Sequence, residues 1–131
     1  MTYEEIYKGA VQMLNEDPSS DFCDDYERRA GYLLATFTSL ALPMDKLHCE
    51  ANNLLAPTAS NASFVELETQ FPLSALFAPA ATYYLAAMLV LDENEDLSDK
   101  LFALYVNEIA TIQSSLRAKS EKTADRYGLL H

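Results

Sequence analysis

The chain has 131 residues, of which 50% are apolar and 11% aromatic, and its formal net charge is −11. This composition is typical of one globular domain with a real core, and it excludes a disordered chain, which would be poor in apolar and aromatic residues. The charge disfavours nucleic acid and anionic membranes as partners, because binding to phosphates depends on Lys and Arg. Basic protein surfaces, or neutral patches on copies of the same chain, are favoured instead.

The first predicted helix covers residues 2–14. Thr2 and Glu5 have the spacing of a capping box, and apolar residues then recur every three or four positions. Pro18 and two serines interrupt the pattern, so this helix is short.

A second helix is predicted to begin near Ser20 or Asp21, with acidic residues in its first turn, and to end or bend at Pro43. Residues 44–56 indicate a short helical or irregular link. The apolar stripe expected in the core consists of Phe22, Tyr26, Ala30, Leu33, Phe37 and Leu40.

The least helical stretch covers residues 57–71. Residues 64–71, "FVELETQF", alternate apolar and polar side chains, which predicts one short strand or extended crossing. A single strand needs a pairing partner, and a neighbouring subunit could supply it.

Residues 71–91 are apolar nearly all round, which predicts a helix at the centre of a bundle, with Pro79 in its first turn. Pro72 and Pro79 interrupt the run, and the rest is shorter than the ~20 residues that a membrane span needs. A membrane helix is therefore not expected.

A long amphipathic helix is predicted from residue 97 to about residue 120, where a flexible tail, about 120–131, should begin. Its apolar face consists of Leu97, Leu101, Leu104, Tyr105, Ile109, Ile112 and Leu116. The expected fold class is therefore all-α: a single domain, 1–131, of about four main helices around a central apolar helix, with one short extended segment.

Asp92, Asn94, Asp96 and Ser98 alternate as in the opening of a calcium-binding EF-hand loop. The sixth residue of such a loop should be Gly and the twelfth Glu, but Leu97 and Ala103 stand there. We interpret the segment as an acidic turn between two helices, with Asp96 or Ser98 as the N-cap.

No catalytic or metal-binding constellation is evident. His48 and Cys49 are adjacent, with Asp45 and Glu50 nearby, but zinc sites recur at ligand spacing and adjacent helical residues diverge. Paired carboxylates fall in first turns or connectors, where solvent surrounds them. We therefore expect no enzyme, no cofactor and no metal.

Arg28 and Arg29 form the only doubled arginine. One interpretation is pairing within the helix, Asp24 with Arg28 or Asp25 with Arg29. The other is that one arginine binds a carboxylate on a neighbouring subunit.

The cellular location is inferred from the cysteines and the N-terminus. Cys23 and Cys49 do not make a disulfide framework, so free buried thiols in a cytoplasmic protein are expected. Residues 1–10 are acidic where a secretory leader would be basic, so no signal peptide is expected.

Three stretches together resemble one family: residues 25–48, "DYERRAGYLLATFTSLALPMDKLH"; residues 71–109, from "FPLSALFAPAATYYL" to "YVNEI"; and residues 119–128, "KSEKTADRYG". The arrangement is similar to that of small helical head–tail connector (head-completion) proteins of tailed phages and prophages. The resemblance implies a non-enzymatic, ring-forming assembly protein of the virion or host cytoplasm, which binds copies of itself and other virion proteins.

The resemblance also implies arms that order only on docking, here residues 56–71 and 120–131. Charge and position then select the candidate interaction residues, which are Arg28, Arg29, Phe64, Val65, Arg117, Lys119, Lys122, Arg126 and Tyr127. An acidic ring would not bind the DNA that passes through it, because its carboxylates repel the DNA phosphates. No exposed apolar seam is evident from the sequence.

The competing hypothesis is a small acidic regulator that binds a basic protein, in the manner of a DNA mimic. The basis of this hypothesis is the formal net charge of −11. It predicts a continuous acidic strip and salt-sensitive binding.

Overall fold

The computed structural model of the chain describes residues 1–16, 23–59 and 62–126, with side chains as far as Lys119. A short 3₁₀ helix, Ala75–Phe77, and four α-helices make up its regular structure. The α-helices are α1 (Tyr3–Met13), α2 (Asp24–Ala51), α3 (Ala78–Val90) and α4 (Glu95–Arg126). Within the described ranges there is no β-strand, so the predicted all-α class is confirmed. The expected start of the second helix at Ser20 or Asp21, and Phe22, lie outside these ranges.

Helix α1 begins as its capping residues predict. The side chain of Thr2 accepts a hydrogen bond from the Glu5 backbone N–H at 3.4 Å. The first-turn N–H groups of Tyr3 and Glu4 donate to the carbonyls of Thr69 (3.0 Å) and Leu67 (2.7 Å). These bonds satisfy donors that a helix N-terminus otherwise leaves unpaired.

The extended segment, residues 62–74, finds its partners in the same chain. Thr2 and Gln70 form an isolated antiparallel bridge, and the Phe71 N–H donates to the Met1 carbonyl at 2.9 Å. The Val65 N–H donates to the Gly31 carbonyl of α2 at 3.1 Å. The expectation of a free arm is therefore wrong for residues 62–71, because this segment caps α1 and packs on α2.

Helix α2 continues through Pro43, so of the two predicted outcomes, an end or a bend at this residue, the end is wrong. It ends at Ala51, two residues before Asn53, whose φ of 55° lies in the left-handed region that Asn tolerates. The Asn53 N–H donates to the Glu50 carbonyl (3.4 Å) and the Leu54 N–H to the Cys49 carbonyl (2.8 Å). This pair of bonds is the Schellman motif, so local cap geometry ends the helix and the proline does not.

The face of α2 that enters the core is rotated by one residue from the predicted stripe. Leu34 is fully buried and Ala41 nearly so, whereas Leu40 is 61% exposed and Leu33 only partly buried. Tyr26, Ala30 and Phe37 are buried, as predicted.

Helix α3 is the centre of the bundle and contacts the other three helices. Pro79 lies in its first turn, where a missing N–H costs nothing. Leu85 and Leu89 are fully buried, and so is Phe77 just before the helix. None of the helices in the described part of the chain is long and apolar enough to cross a membrane.

Helix α4 begins earlier and ends later than predicted. Asn94, rather than Asp96 or Ser98, is its N-cap, since the Asn94 Oδ1 accepts from the Leu97 N–H at 3.1 Å. The Ser98 hydroxyl is buried and donates to the Ala87 carbonyl at 2.8 Å, which joins α4 to α3. The backbone stays helical to Arg126, beyond the predicted end near residue 120; residues 127–131 lie outside the described ranges.

Candidate interaction surfaces

Arg28 and Arg29 both pair within the chain. Arg28 contacts the Asp25 carboxylate rather than Asp24, and Arg29 lies 3.6 Å from the same carboxylate. Arg29 also donates to the carbonyls of Met88 (3.1 Å) and Leu89 (3.4 Å) at the C-terminal end of α3. It therefore acts as a clamp between α2 and the negative pole of α3. Arg28 stays exposed.

Phe64 and Val65 lie against α2, and only Phe64 offers a surface. The Phe64 ring is 40% exposed and meets the Tyr32 ring edge to face, with centroids 4.9 Å apart. This approach depends on Gly31, because a Cβ there would lie 2.2 Å from Phe64 Cε2. Val65 packs against the core and is not free for a partner.

The predicted basic residues gather at one end of α4. Arg117 and Lys119 are exposed, and the Lys119 ammonium contacts the side chain of Asn52, at the end of α2. Lys122 and Arg126 follow on the helical backbone, where Glu121 and Asp125 alternate with them, and Tyr127 lies outside the described residues.

Helices α2 and α4 run in the same direction, so their N-termini lie at one end of the molecule and their C-termini at the other. Acidic residues cluster at the N-terminal ends of both helices, and basic residues at the C-terminal end of α4. At one end the Tyr26 hydroxyl of α2 bonds to Glu93, just before α4; at the other end Lys119 meets Asn52. We call the first the acidic end, and its carboxylates are Asp24, Asp25, Glu27, Asp92, Glu93, Glu95 and Asp96. Burial, together with the bond to Glu93, raises the pKa of Tyr26, so its hydroxyl keeps the proton that this bond requires.

A row of leucines runs along the outside of α2. Leu33, Leu40 and Leu47 of α2, together with Leu54 just past the end of the helix, recur every seven residues and are here called the leucine row. Leu40, Leu47 and Leu54 are 61%, 59% and 54% exposed. Leucines at this spacing lie on one side of a helix, as in helices that pack along a partner helix.

An aromatic cluster joins the inner edge of this face to α4. The Phe37 ring contacts Tyr105 of α4 at a centroid distance of 6.2 Å, and Phe102 contacts Tyr105 at 5.4 Å. Phe102 and Val106 are nearly half exposed, and Ile109 is partly buried. Burial raises the pKa of Tyr105, so its ring remains a neutral part of this apolar surface.

An acidic groove of about 340 Å³ lies between α2 and the extended segment. Its carboxylates come from Asp24, Glu27, Glu66 and Glu68, and Arg28, Phe64 and Leu67 complete the lining. Four carboxylates and one guanidinium leave this groove with a negative balance, which favours cationic groups.

Asp45 and Cys49, which flank His48, form a structural contact. Asp45 is fully buried, and its carboxylate accepts hydrogen bonds from the Ser74 N–H (2.9 Å) and hydroxyl (2.6 Å). The Cys49 thiol lies 3.7 Å from the same carboxylate, and His48 Nδ1 lies 3.2 Å from the amide nitrogen of Asn52. The bonds between Asp45 and Ser74 fasten the part of α2 beyond Pro43 to the segment before α3. Across the described ranges, no group of three or more His, Cys, Asp or Glu side chains could hold a metal ion.

Comparison with known proteins found no protein-family model, no curated protein and no solved structure that matches this chain. The arrangement of its surfaces is therefore the basis for a functional proposal.

The leucine row is the surface that sequence reasoning missed. Leu33 and Leu40 were assigned to the core because α2 is apolar over more than one face. The signal that was present is the repeat of seven, which continues through Leu47 to Leu54 after the core stripe is complete. The clamp of Arg29 on α3 had no sequence signal, since its acceptors are backbone carbonyls.

Proposed function

We propose that this chain is a non-enzymatic assembly protein that associates with itself and with other proteins at the head–tail junction of a tailed phage or prophage. The observation that carries the proposal is the exposed apolar face of α2, formed by the leucine row, on a molecule whose net charge is −11. Exposed large apolar side chains that share one side of a helix favour a protein–protein contact there.

The lack of charged side chains along this part of α2 supports self-association. Residues 30–44 of α2 contain no charged side chain. Copies of an acidic chain repel each other, so they approach most easily where carboxylates are missing. The outer face of α2 meets that condition.

The link to phages rests on the resemblance of residues 25–48, 71–109 and 119–128 to head–tail connector proteins. A bundle that is negative over most of its surface suits a ring through which DNA passes, because phosphates are repelled from its wall. The localisation that follows is the host cytoplasm during assembly and the virion afterwards.

Complementation tests this proposal. Deleting the gene from the phage or prophage that encodes it should give DNA-filled heads without tails, and adding the purified protein to those heads should restore infectious particles. Normal tailed particles from the deletion strain would refute the proposal. Genes for portal, capsid and tail proteins on either side would support it independently.

The acidic groove favours a second function, an acidic regulator that binds a basic protein. Its carboxylates lie beside the Phe64 ring, and an aromatic face adds affinity for a guanidinium or ammonium group. Calorimetry with an Arg-rich peptide should show binding that weakens about tenfold or more between low and physiological salt, and that is lost in the Glu66→Gln/Glu68→Gln variant. The Glu95→Gln/Asp96→Asn variant removes the same charge outside the groove and is the control; equal loss in both variants would reject the groove as a site.

A further inference from the structure

We propose that the leucine row joins two copies of this chain about a two-fold axis near Leu40, with the two α2 helices antiparallel. This inference rests on the self-association in the proposed function and specifies its interface. It names a second copy as the occupant of the apolar face.

The leucines of the row are spaced symmetrically about Leu40. Leu33 and Leu47 lie seven residues before and after Leu40, about 10 Å of helix rise in each direction. In an antiparallel pair centred on Leu40, Leu33 of each copy meets Leu47 of the other, and Leu40 meets Leu40. Every exposed leucine within α2 then has an apolar partner, which a two-fold interface requires because both copies present the same patch.

Charge complementarity is the second argument, and it selects the antiparallel direction. Asp24, Asp25 and Glu27 occupy the first turns of α2, whereas Lys119 lies beside Asn52 at the other end. An antiparallel pair places these carboxylates next to the Lys119 end of the other copy. A parallel pair would place them against the same carboxylates, which repel.

The helix dipoles agree with this direction. In the antiparallel pair the positive N-terminus of each α2 lies beside the negative C-terminus of the other, and in the parallel pair like poles meet. The middle of the contact, residues 36–44 of each copy, has no charged side chain that would have to be buried.

Sedimentation equilibrium over a wide range of protein concentrations tests the contact. The unaltered chain should show a monomer–dimer equilibrium, and Leu40→Glu should raise the dissociation constant by roughly 100-fold or more, because two carboxylates would face each other at the axis. The control is Leu104→Glu, which changes a comparably exposed leucine (44%) on α4, outside the row, and should leave the dimer intact. If Leu40→Glu does not fold by circular dichroism, Leu47→Glu replaces it, since Leu47 is equally exposed.

Disulfide trapping tests the direction. In the antiparallel pair, Leu40→Cys faces its own copy and should crosslink rapidly under mild oxidation. Leu47→Cys faces Leu33 and should not crosslink. The native Cys23 and Cys49 are buried, so the unaltered chain is a suitable background.

Four outcomes decide the matter. A dimer that Leu40→Glu dissociates, with crosslinking only through position 40, supports the inference. A dimer that survives Leu40→Glu overturns this interface and leaves the proposed function standing. Equal crosslinking through positions 40 and 47 overturns the antiparallel direction. A chain that is monomeric at every concentration overturns both the interface and the self-association in the proposed function.

Discussion

Replacing Asp45 by Ala should lower the free energy of unfolding by about 3 kcal/mol. The carboxylate is fully buried and accepts two hydrogen bonds from Ser74, at 2.9 and 2.6 Å. Hydrogen bonds to a carboxylate contribute about 1.5–3 kcal/mol each, and the cost of burying the carboxylate, which the substitution relieves, offsets part of their sum.

The loss is localised, which makes it measurable against a control. Without Asp45, the Ser74 backbone N–H has no acceptor, and the α2 turns beyond Pro43 lose their bond to the segment before α3. Ser74→Ala removes only the hydroxyl and keeps the backbone bond, so it should cost about 1 kcal/mol.

Urea unfolding followed by circular dichroism measures both variants. We expect an unchanged urea dependence for each, a lower midpoint, and a melting temperature roughly 10 °C lower for Asp45→Ala. If Asp45→Ala lies within about 0.5 kcal/mol of the unaltered chain, or is no less stable than Ser74→Ala, the backbone bond contributes nothing and the reasoning is wrong.

Three further perturbations address other contacts. Gly31→Ala should destabilise the chain by about 2 kcal/mol in urea unfolding. The added Cβ would lie 2.2 Å from Phe64 Cε2 and 2.7 Å from the carbonyl oxygen of Val65. Arg29→Ala should cost about 1–2 kcal/mol in the same assay, because the carbonyls that end α3 lose their charged donor. Burial and the nearby negative groups raise the pKa of Tyr7 to about 12. The folded chain therefore holds this proton more tightly than the unfolded chain, so the contribution of Tyr7 to stability should be full below pH 10 and fall as the pH rises from about 10 to 12.

The two substitutions each have a control on the same molecule. Gly9→Ala meets only Thr82 Cγ2 at 3.6 Å, so it should be neutral or stabilising by up to about 1 kcal/mol, as expected in a helix. Arg28→Ala removes an exposed ion pair and should change stability by less than about 0.5 kcal/mol. Equal effects within either pair would contradict the packing or clamp argument. For Tyr7, unfolding midpoints should follow tyrosinate absorbance at high pH, and a flat profile across that range would contradict the assigned burial.

Local signals in the sequence were sufficient for several elements. Thr2 and Glu5 begin α1 as predicted, and Pro79 stands in the first turn of α3. The uniformly apolar stretch after Pro79 is the central helix. A helix that is apolar on all sides is stable in water only when other elements bury every side of it. These features depend on residues within about one turn of each other, or on composition alone.

Other features depended on residues far apart in the sequence. Pro43 predicts an end or a bend of α2, yet the helix continues, and the contact between Asp45 and Ser74 fastens the part beyond it. The extended segment needs a pairing partner, which a neighbouring subunit could have supplied, yet Thr2 and Tyr3 of the same chain supply it. No periodicity could have predicted these contacts.

The sequence by itself determined the all-α class, an apolar central helix and an acidic surface. Each of these follows from residue type and from the helical repeat of 3.6 residues per turn. Which side of α2 meets that central helix was decided only in three dimensions. Both Leu33 and Leu34 fit an apolar stripe, and the positions of α1, α3 and α4 bury one of the two more deeply than the other. A helix that is apolar over more than half its circumference cannot bury all of it against one bundle, and the part that remains outside is the leucine row.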